Sequence, residues 1–178
     1  MIETLISSKT RIKLLLKFFL NSNTTSYLRS LEGEFGESTN AIRVELNHLE
    51  KAGMLISHAD GNRKLFKANI QHPLFDEIHS IIRKYIGLDR VIENVIERLG
   101  DVEKVYLIGD FAQGLNSQII DLIIIGNVDK SYLIKLITKV EELIHRKVRY
   151  LTYTQPEAKQ DDISRSYPEA FLLWSNIQ

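Results

Sequence analysis

The stretch from Leu46 to Asn69 constrains the fold most strongly, because it places a helix end and a hairpin turn close together. The helical run that contains Leu46 stops at Gly53, a residue type that commonly ends helices. Two strand-like runs, MLISH and KLFKANI, then flank the sequence DGN at 60–62, which is a strong signal for a tight turn. The pattern predicts a helix that is followed by an antiparallel hairpin.

Three helical patterns lead up to this hairpin, at residues 8–21, 24–36 and 38–53. Each begins near a side chain that can cap a helix: Ser7 or Ser8 for the first, Thr24 or Thr25 for the second, and Ser38 for the third. The third helix has an apolar stripe at helical spacing, formed by Ile42, Leu46 and Leu49.

Three short helices followed by a hairpin is the order of a winged helix, and this part of the chain resembles winged-helix transcriptional regulators of the ArsR and MarR kind. The motif L-x-x-L-x-x-A-G-x-L from Leu46 to Leu55 is similar to the end of their recognition helix. The runs GNRKLFKAN at 61–69 and HPLF at 72–75 resemble the wing and the start of the next helix. The resemblance implies a DNA-binding domain with a linker helix over residues 1–85, acting as a homodimer.

If the apolar stripe of the third helix faces the core, its opposite face carries short polar groups and a guanidinium. Such groups suit base edges in the major groove, and a helix N-terminus favours a phosphate. Cations on the hairpin are placed for backbone or minor-groove contact. The predicted DNA-binding residues are Ser38, Thr39, Asn40, Arg43, Asn47, Arg63, Lys64 and Lys67.

Two alternatives stay open for this half. The cations could be ordinary solvated surface, and Glu45 lies beside the proposed face, where an acid would oppose phosphate; Glu32, Glu34 and Glu37 precede the helix. The apolar helix after Pro73 could hold a second copy of the chain or pack on its own domain, and its residues Ile78, Ile81 and Ile82 suit both roles.

The second half alternates between helical and strand periods. Two helical patterns separated near Gly87 are followed by strand-like runs at 104–110 and 119–126, a helix at 130–146 and a strand at 147–155. The fold class expected for the whole chain is therefore α+β. We expect an N-terminal winged helix-turn-helix over residues 1–85 and a small α/β domain with a mixed sheet over residues 86–178.

The run YLIGDFAQG followed by IIDLIIIG resembles the minimal nucleotidyltransferase family of the polymerase-β-like superfamily. Gly109, Ala112 and Gly114 match that family's G-S-x-A-x-G turn, and Asp121-Leu122 match the end of its D-x-D-L motif. In the family, the turn approaches a triphosphate, and paired carboxylates with a third from a neighbouring strand hold two Mg²⁺ ions.

This sequence departs from the family at each catalytic point. Asp110 replaces the serine of the turn, Ile119 replaces the first carboxylate, and the strand expected to carry the third has Arg149 and Leu151 but no acid. We therefore expect a retained fold without transferase activity, with no catalytic residue, no metal and no cofactor. Gly109, Asp110, Gly114 and Asp121 are interpreted as remnants of the nucleotide site. The alternatives are an altered metal pair at Asp110 and Asp121, or a plain turn in an unrelated α/β unit.

Composition narrows the class of protein. The chain has no cysteine, which excludes disulfides and thiolate metal sites and suits a reducing cytoplasm. Residues 1–72 carry a net charge of +3 and residues 73–178 one of −3, the direction that a DNA-binding first half requires. The apolar run LLLKFFL is too short to span a bilayer. We expect a cytoplasmic transcriptional regulator that binds double-stranded DNA and no membrane, with a nucleotide or small molecule as a candidate effector of the second half.

Overall fold

The structure is a computed structural model that describes residues 2–176. Met1 and residues 177–178, at the ends of the two expected domains, lie outside the described residues. The chain forms two compact units. The first comprises the residues up to Tyr85 together with Gly114–Asn116, and the second comprises Ile86–Gln113 and the residues from Ser117 onward.

Helices open the first unit: α1 (Ile2–Leu5), α2 (Lys9–Leu15) with a π-helical turn at Leu16–Leu20, α3 (Leu28–Phe35) and α4 (Thr39–Lys51). Two of the predicted caps are confirmed, because the side chains of Ser8 and Ser38 accept hydrogen bonds from the backbone N–H groups three residues later. The side chains that these helices bury most fully include Phe18, Phe19, Leu31, Ile42 and Leu46. The predicted stripe of α4 is thus part of the core of this unit.

The predicted cap of α3 is wrong. Neither Thr24 nor Thr25 caps the helix, which begins only at Leu28. Ser26 instead forms an isolated β-bridge to Phe66, with N–H···O distances of 3.1 Å and 2.8 Å in the two directions. This pairing holds the chain extended just before the helix and delays its start.

The hairpin follows α4 as predicted, with β1 (Leu55–Asp60) and β2 (Arg63–Ala68) paired antiparallel. The turn consists of the two residues between Asp60 and Arg63, and Gly61 adopts a φ of +57°, which glycine reaches without a Cβ clash. Helix α5 (Phe75–Ile86) comes next and ends immediately before Gly87, where the sequence predicts the break.

The second unit contains a four-stranded sheet and the helices around it. Its elements are α6 (Leu88–Val91), a π-helical turn (Ile92–Ile96), α7 (Glu97–Leu99), β3 (Val102–Ile108), α8 (Gly109–Ala112), β4 (Ile119–Gly126), α9 (Lys130–Ile144), β5 (Lys147–Tyr153), α10 (Gln155–Gln160), α11 (Ile163–Ser166) and β6 (Phe171–Ser175). The strand order is β5-β4-β3-β6. Strands β4 and β5 are parallel and the other neighbours are antiparallel, so the sheet is mixed and the fold is α+β.

The C-terminal segment covers one face of this sheet. Side chains of α10, α11 and the following loop, including Ala158, Ile163 and Tyr167, pack on Ile108, Ile123 and Ile125. Successive strand residues point to opposite faces, so Asp121 lies on the same face of β4 as Ile123. The strand β6 and the helices α10 and α11 were not predicted from the sequence. Within residues 2–176, no helix combines the length and the apolar character needed to cross a bilayer.

Candidate nucleic-acid interface and carboxylate site

Helix α4 turns one face inward and the other outward, as its sequence pattern predicts. Ile42, Leu46 and Leu49 are buried, while Asn40, Arg43 and Asn47 are exposed and Thr39 is half-buried. The Ser38 hydroxyl accepts a hydrogen bond from the Ala41 N–H at 3.2 Å, so Ser38 is the N-cap of the helix.

A groove of about 750 Å³ lies between α4, the start of α3 and the hairpin. Its lining side chains are Tyr27, Leu28, Arg29, Arg43, Leu46, Asn47, Asn62, Arg63, Lys64 and Phe66. Four of these are cations, and none of the described lining residues is an acid. The groove therefore combines positive charge with apolar and amide groups, a composition suited to a polyanion that also carries ring edges.

The structure brings together four of the predicted DNA-binding residues, Arg43, Asn47, Arg63 and Lys64, and adds Arg29 to them. Arg29 was not among the predicted residues, although an arginine in the first turn of α3 was a visible signal. The other predicted residues do not line the groove: Ser38, Thr39 and Asn40 lie in or before the first turn of α4, and Lys67 is exposed on β2.

The cations of the groove differ in their partners. Among residues 2–176, Arg29 and Arg43 form neither a salt bridge nor a side-chain hydrogen bond. The Arg63 guanidinium lies over the ring of Tyr27, at 4.7 Å from its centroid. The Lys64 ammonium donates to Glu50, with 2.7 Å between Nζ and Oε2. Two arginines are thus free for an incoming phosphate.

Glu45, the acid that lies beside the proposed DNA-binding face of α4, points away from solvent. Glu45 is 9% exposed, and its carboxylate accepts from the Ser8 hydroxyl at 2.6 Å and from Arg11 Nε at 2.8 Å. Burial alone would raise the pKa of Glu45, but the hydrogen bonds from Ser8 and Arg11 outweigh it and lower the pKa. The carboxylate is therefore charged and compensated within the unit.

Two of the three acids before α4 are also paired with cations of α2 and its π-helical turn. Glu34 lies 2.6 Å from Lys17 Nζ, and Glu37 lies 2.7 Å from Lys13 Nζ. Glu32 is exposed. None of these three acids lines the groove.

In the second unit, the remaining carboxylate of the nucleotidyltransferase-like motif is bound by an arginine. Asp121 on β4 lies opposite Arg149 on the parallel strand β5, and both of its carboxylate oxygens accept from the guanidinium, with 3.0 Å from Nη2 to Oδ2. Asp121 is 7% exposed, whereas the Arg149 side chain is largely exposed. The Asp121 carboxylate raises the pKa of Arg149. The residue that β5 places opposite Asp121 is thus a cation, and the carboxylate is paired within the protein.

The turn after β3 is held close to this pair. Gly109 has a φ of +69°, and a Cβ built there would lie 2.6 Å from Oδ2 of Asp121. Its N–H donates to Oε1 of Glu169 at an N···O distance of 3.4 Å, so the backbone of this turn is bound to a carboxylate of the protein itself. A cavity of about 300 Å³ includes Gly109, Asp121, Arg149 and Glu169 in its lining.

The other expected remnants do not complete a metal site. Asp110 is exposed in the first turn of α8, and Ile119 is half-buried two residues before Asp121. Gly114 belongs to the first unit, where a Cβ would lie 2.4 Å from the Cα of Lys17, so packing explains its need for glycine. No group of three His, Asp or Glu residues in the part of the chain that the structure describes could hold a metal. The residues present do not fit a two-Mg²⁺ site, because the Asp121 carboxylate is bound by Arg149, position 119 is an isoleucine and β5 carries no acid.

No protein-family model and no curated protein matches the chain. Four solved structures resemble parts of it. A candidate nucleotidyltransferase from Sulfolobus solfataricus is 20% identical over 56% of this chain and 86% of its own, with a TM-score of 0.35. A mutant of the toxin–antitoxin pair MntA–HpeT is 16% identical over 50% and 72%, with a TM-score of 0.40. A candidate transcriptional regulator for arsenical resistance is 19% identical over 52% and 91%, with a TM-score of 0.31. Identities and TM-scores this low do not establish a family for the chain.

Proposed function

We propose that the chain is a cytoplasmic transcriptional regulator whose first unit is a winged helix that binds double-stranded DNA. In this proposal α4 is the recognition helix, β1 and β2 form the wing, and the second unit is a catalytically inactive nucleotidyltransferase-like module with a regulatory or assembly role. The single observation that carries the proposal is the groove beside α4, which four cations line without an acid.

The groove suits duplex DNA for electrostatic and geometric reasons. Its cations can replace counterions on phosphates, which supplies most of the sequence-independent affinity of DNA-binding proteins. Arg43 and Asn47 stand one turn apart on the outward face of α4, and an arginine fork or an amide can read a guanine or an adenine edge in the major groove. Glu45 is buried against α2 and so does not oppose phosphate, whereas Glu50, on the same side of α4 as Arg43 and Asn47, is bound by Lys64 of the wing.

We propose a homodimer that contacts DNA through two copies of this surface. Leu74, Ile78 and Ile81 lie at helical spacing at the start of and along α5, and Leu74 and Ile81 are 51% and 48% exposed. The neighbouring Ile82 is fully buried in its own chain, so in this proposal only the exposed side of the helix contacts the second copy. A two-fold dimer predicts a palindromic DNA site.

The second unit is proposed to lack nucleotidyl transfer because Asp121 is already neutralised by Arg149, and no further carboxylate stands at Ile119. The cavity beside Asp121 is the place where we propose that a small-molecule effector would bind, if the unit senses one. The negative charges of Asp121 and Glu169 in the lining of this cavity would repel a triphosphate.

The test is a selection of binding sites from random-sequence duplexes by gel shift at two salt concentrations. We expect a palindromic site to be enriched and the affinity to fall steeply with salt. Arg43→Ala should change the base preference at one position in each half-site, whereas Arg98→Ala, an exposed arginine of the second unit, should leave it unchanged. No enrichment over random sequence would remove the proposal.

A second assay addresses the enzyme alternative. The full chain is incubated with Mg²⁺ and labelled ATP, with itself and DNA as acceptors, and no label transfer is expected. Transfer that disappears in Asp121→Asn would show an active altered site. The remaining alternative is that the first unit binds another protein rather than DNA. Binding to another protein that does not weaken with salt, in the absence of any DNA binding, would support it.

A further inference from the structure

We infer that the wing offers DNA only one of its two adjacent cations: Tyr27 positions Arg63 in the groove, while Glu50 withholds Lys64. This inference rests on the proposed DNA-binding function and assigns roles within its site. Tyr27 is then a positioning residue that acts through Arg63, and Glu50 lowers the affinity for DNA by binding Lys64.

Tyr27 is fixed relative to the wing by the backbone. Its neighbour Ser26 exchanges two hydrogen bonds with Phe66 of β2, so residues 26–27 lie alongside the hairpin as a short extended segment. Tyr27 itself is extended, with φ −131° and ψ 162°, and helix α3 begins at the next residue. The ring is half-buried at the wall of the groove, so its position does not depend on a flexible loop.

Arg63 rests on this ring with its charge uncompensated. The distance of 4.7 Å from its guanidinium carbon to the ring centroid is within the range of a cation–π contact. A guanidinium that uses its face on a ring keeps the N–H groups of its edge free for phosphate or a base. Asp60 is its partner in the hairpin register, but no ion pair joins the two within residues 2–176.

Lys64 also lines the groove and also lies near a ring, with 5.0 Å from Nζ to the Phe66 centroid, but unlike Arg63 it is bound by an acid. Its ammonium lies 2.7 Å from Oε2 of Glu50 at the end of α4, and the Ser57 hydroxyl donates to the other oxygen of the same carboxylate. The hydrogen bonds from Lys64 and Ser57 lower the pKa of Glu50, which keeps the carboxylate charged near neutral pH. A phosphate must therefore compete with Glu50 for Lys64, whereas none of the acids among residues 2–176 forms an ion pair with Arg63.

The different partners of Arg63 and Lys64 predict different changes in the salt dependence of DNA binding when each is substituted. Each phosphate contact contributes about 0.9 to the slope of log affinity against log salt, so one contact changes the affinity loss between about 50 mM and 200 mM salt by about 3.5-fold. Arg63→Gln should therefore reduce the slope by about 0.9, and Lys64→Gln should leave it unchanged. Glu50→Gln should steepen it by about 0.9, but not in the Lys64→Gln background.

Tyr27 is tested in the full-length protein by a double-mutant cycle on a random-sequence duplex. Tyr27→Leu, which keeps bulk but removes the ring, should weaken binding by about two- to fivefold, as expected for loss of an exposed cation–π contact. Tyr27→Phe should restore wild-type affinity. In the Arg63→Gln background, Tyr27→Leu should cause no further loss, because a residue that acts only through Arg63 has nothing left to position.

The outcomes separate this inference from the function on which it rests. If the wild type binds no duplex, the proposed function fails. If the wild type binds and Arg43→Ala changes its preference, the function stands; a reduced slope in Lys64→Gln, or equal losses from Tyr27→Leu with and without Arg63, would then overturn the inference alone. Circular dichroism of each variant verifies that it is folded.

Discussion

Glu45 offers the sharpest test of how α4 is oriented, because its carboxylate contacts Ser8 and Arg11 in the structure and would meet phosphate only if this side of the helix faced DNA. The perturbation is Glu45→Gln, which removes the charge and keeps the size of the side chain. The matched control is Glu32→Gln, at an exposed acid on α3 that does not line the groove. The orientation in the structure predicts a loss of stability at Glu45 without a gain in DNA affinity.

The magnitude follows from the two bonds of the carboxylate. A hydrogen bond to a charged group contributes about 1.5–3 kcal/mol when it is fully buried. The Arg11 side chain is 41% exposed, so its ion pair is discounted to about 0.5–1 kcal/mol. A glutamine can still accept one bond but turns its NH₂ group toward the other donor, so the total loss should be about 1.5 kcal/mol.

Native-state amide hydrogen exchange of the full chain measures this loss within the first unit. A destabilisation of about 1.5 kcal/mol raises the opening equilibrium roughly tenfold, and the slowest amides of α4 should exchange faster by that factor. The Glu32→Gln control should leave them within about twofold. The pKa of Glu45 is lowered in the folded protein. Its carboxylate therefore contributes to the free energy of unfolding at pH values above the ordinary pKa of 4.5, and this contribution is lost as the pH falls through the lowered pKa.

DNA binding of the same variants provides the refutation. If the carboxylate faces α2, Glu45→Gln should leave duplex affinity within about twofold and the salt slope unchanged, once the folded fraction is accounted for. A tighter complex with a steeper slope would mean that Glu45 meets phosphate. The assigned orientation of α4 would then be wrong, and the groove would lose its role.

Three further predictions concern single positions. Ser38→Ala should destabilise the first unit by about 1 kcal/mol through loss of the α4 cap, measured as a lower midpoint of urea unfolding. Gly109→Ala should destabilise the second unit by at least about 1 kcal/mol, because the positive φ and the nearby Asp121 carboxylate both disfavour a Cβ at this position. The control Gly33→Ala, in α3 with open space around it, should stabilise the first unit by about 0.5–1 kcal/mol. Equal shifts of the thermal unfolding midpoint in the two variants would contradict this prediction. Arg149→Met should leave the buried carboxylate unpaired and shift unfolding to lower urea, and a simultaneous Asp121→Asn should recover most of the loss.

The features that could be predicted from the sequence are those that local residues determine. Ser38 caps α4, its apolar stripe is buried, and the hairpin turns at Gly61, because each depends on residues within one or two turns of chain. The order of strands and helices from β3 to β5 also matched its periodicity. The failure at α3 has the opposite cause, since the bridge from Ser26 to Phe66 joins distant segments and no local pattern reports it.

The same division applies to the candidate sites. The outward set on α4 followed from helical spacing, but the direction of Glu45 depends on Arg11, which lies 34 residues away. The absence of acids at positions 119 and 149 could be read directly from the sequence. The pairing of Arg149 with Asp121 could not, because it requires the register of two parallel strands that α9 connects. Arg29 entered the groove through the packing of α3 on α4, which periodicity does not describe.

The C-terminal segment over the sheet has a consequence for any redesign of the cavity beside Asp121. Ile163 and Tyr167 pack on Ile108, Ile123 and Ile125, and the last two lie on the same face of β4 as Asp121. Detaching the segment to enlarge the cavity would expose these apolar side chains to water. A wider cavity would therefore reduce the stability of the second unit unless the apolar side chains on both sides were replaced together.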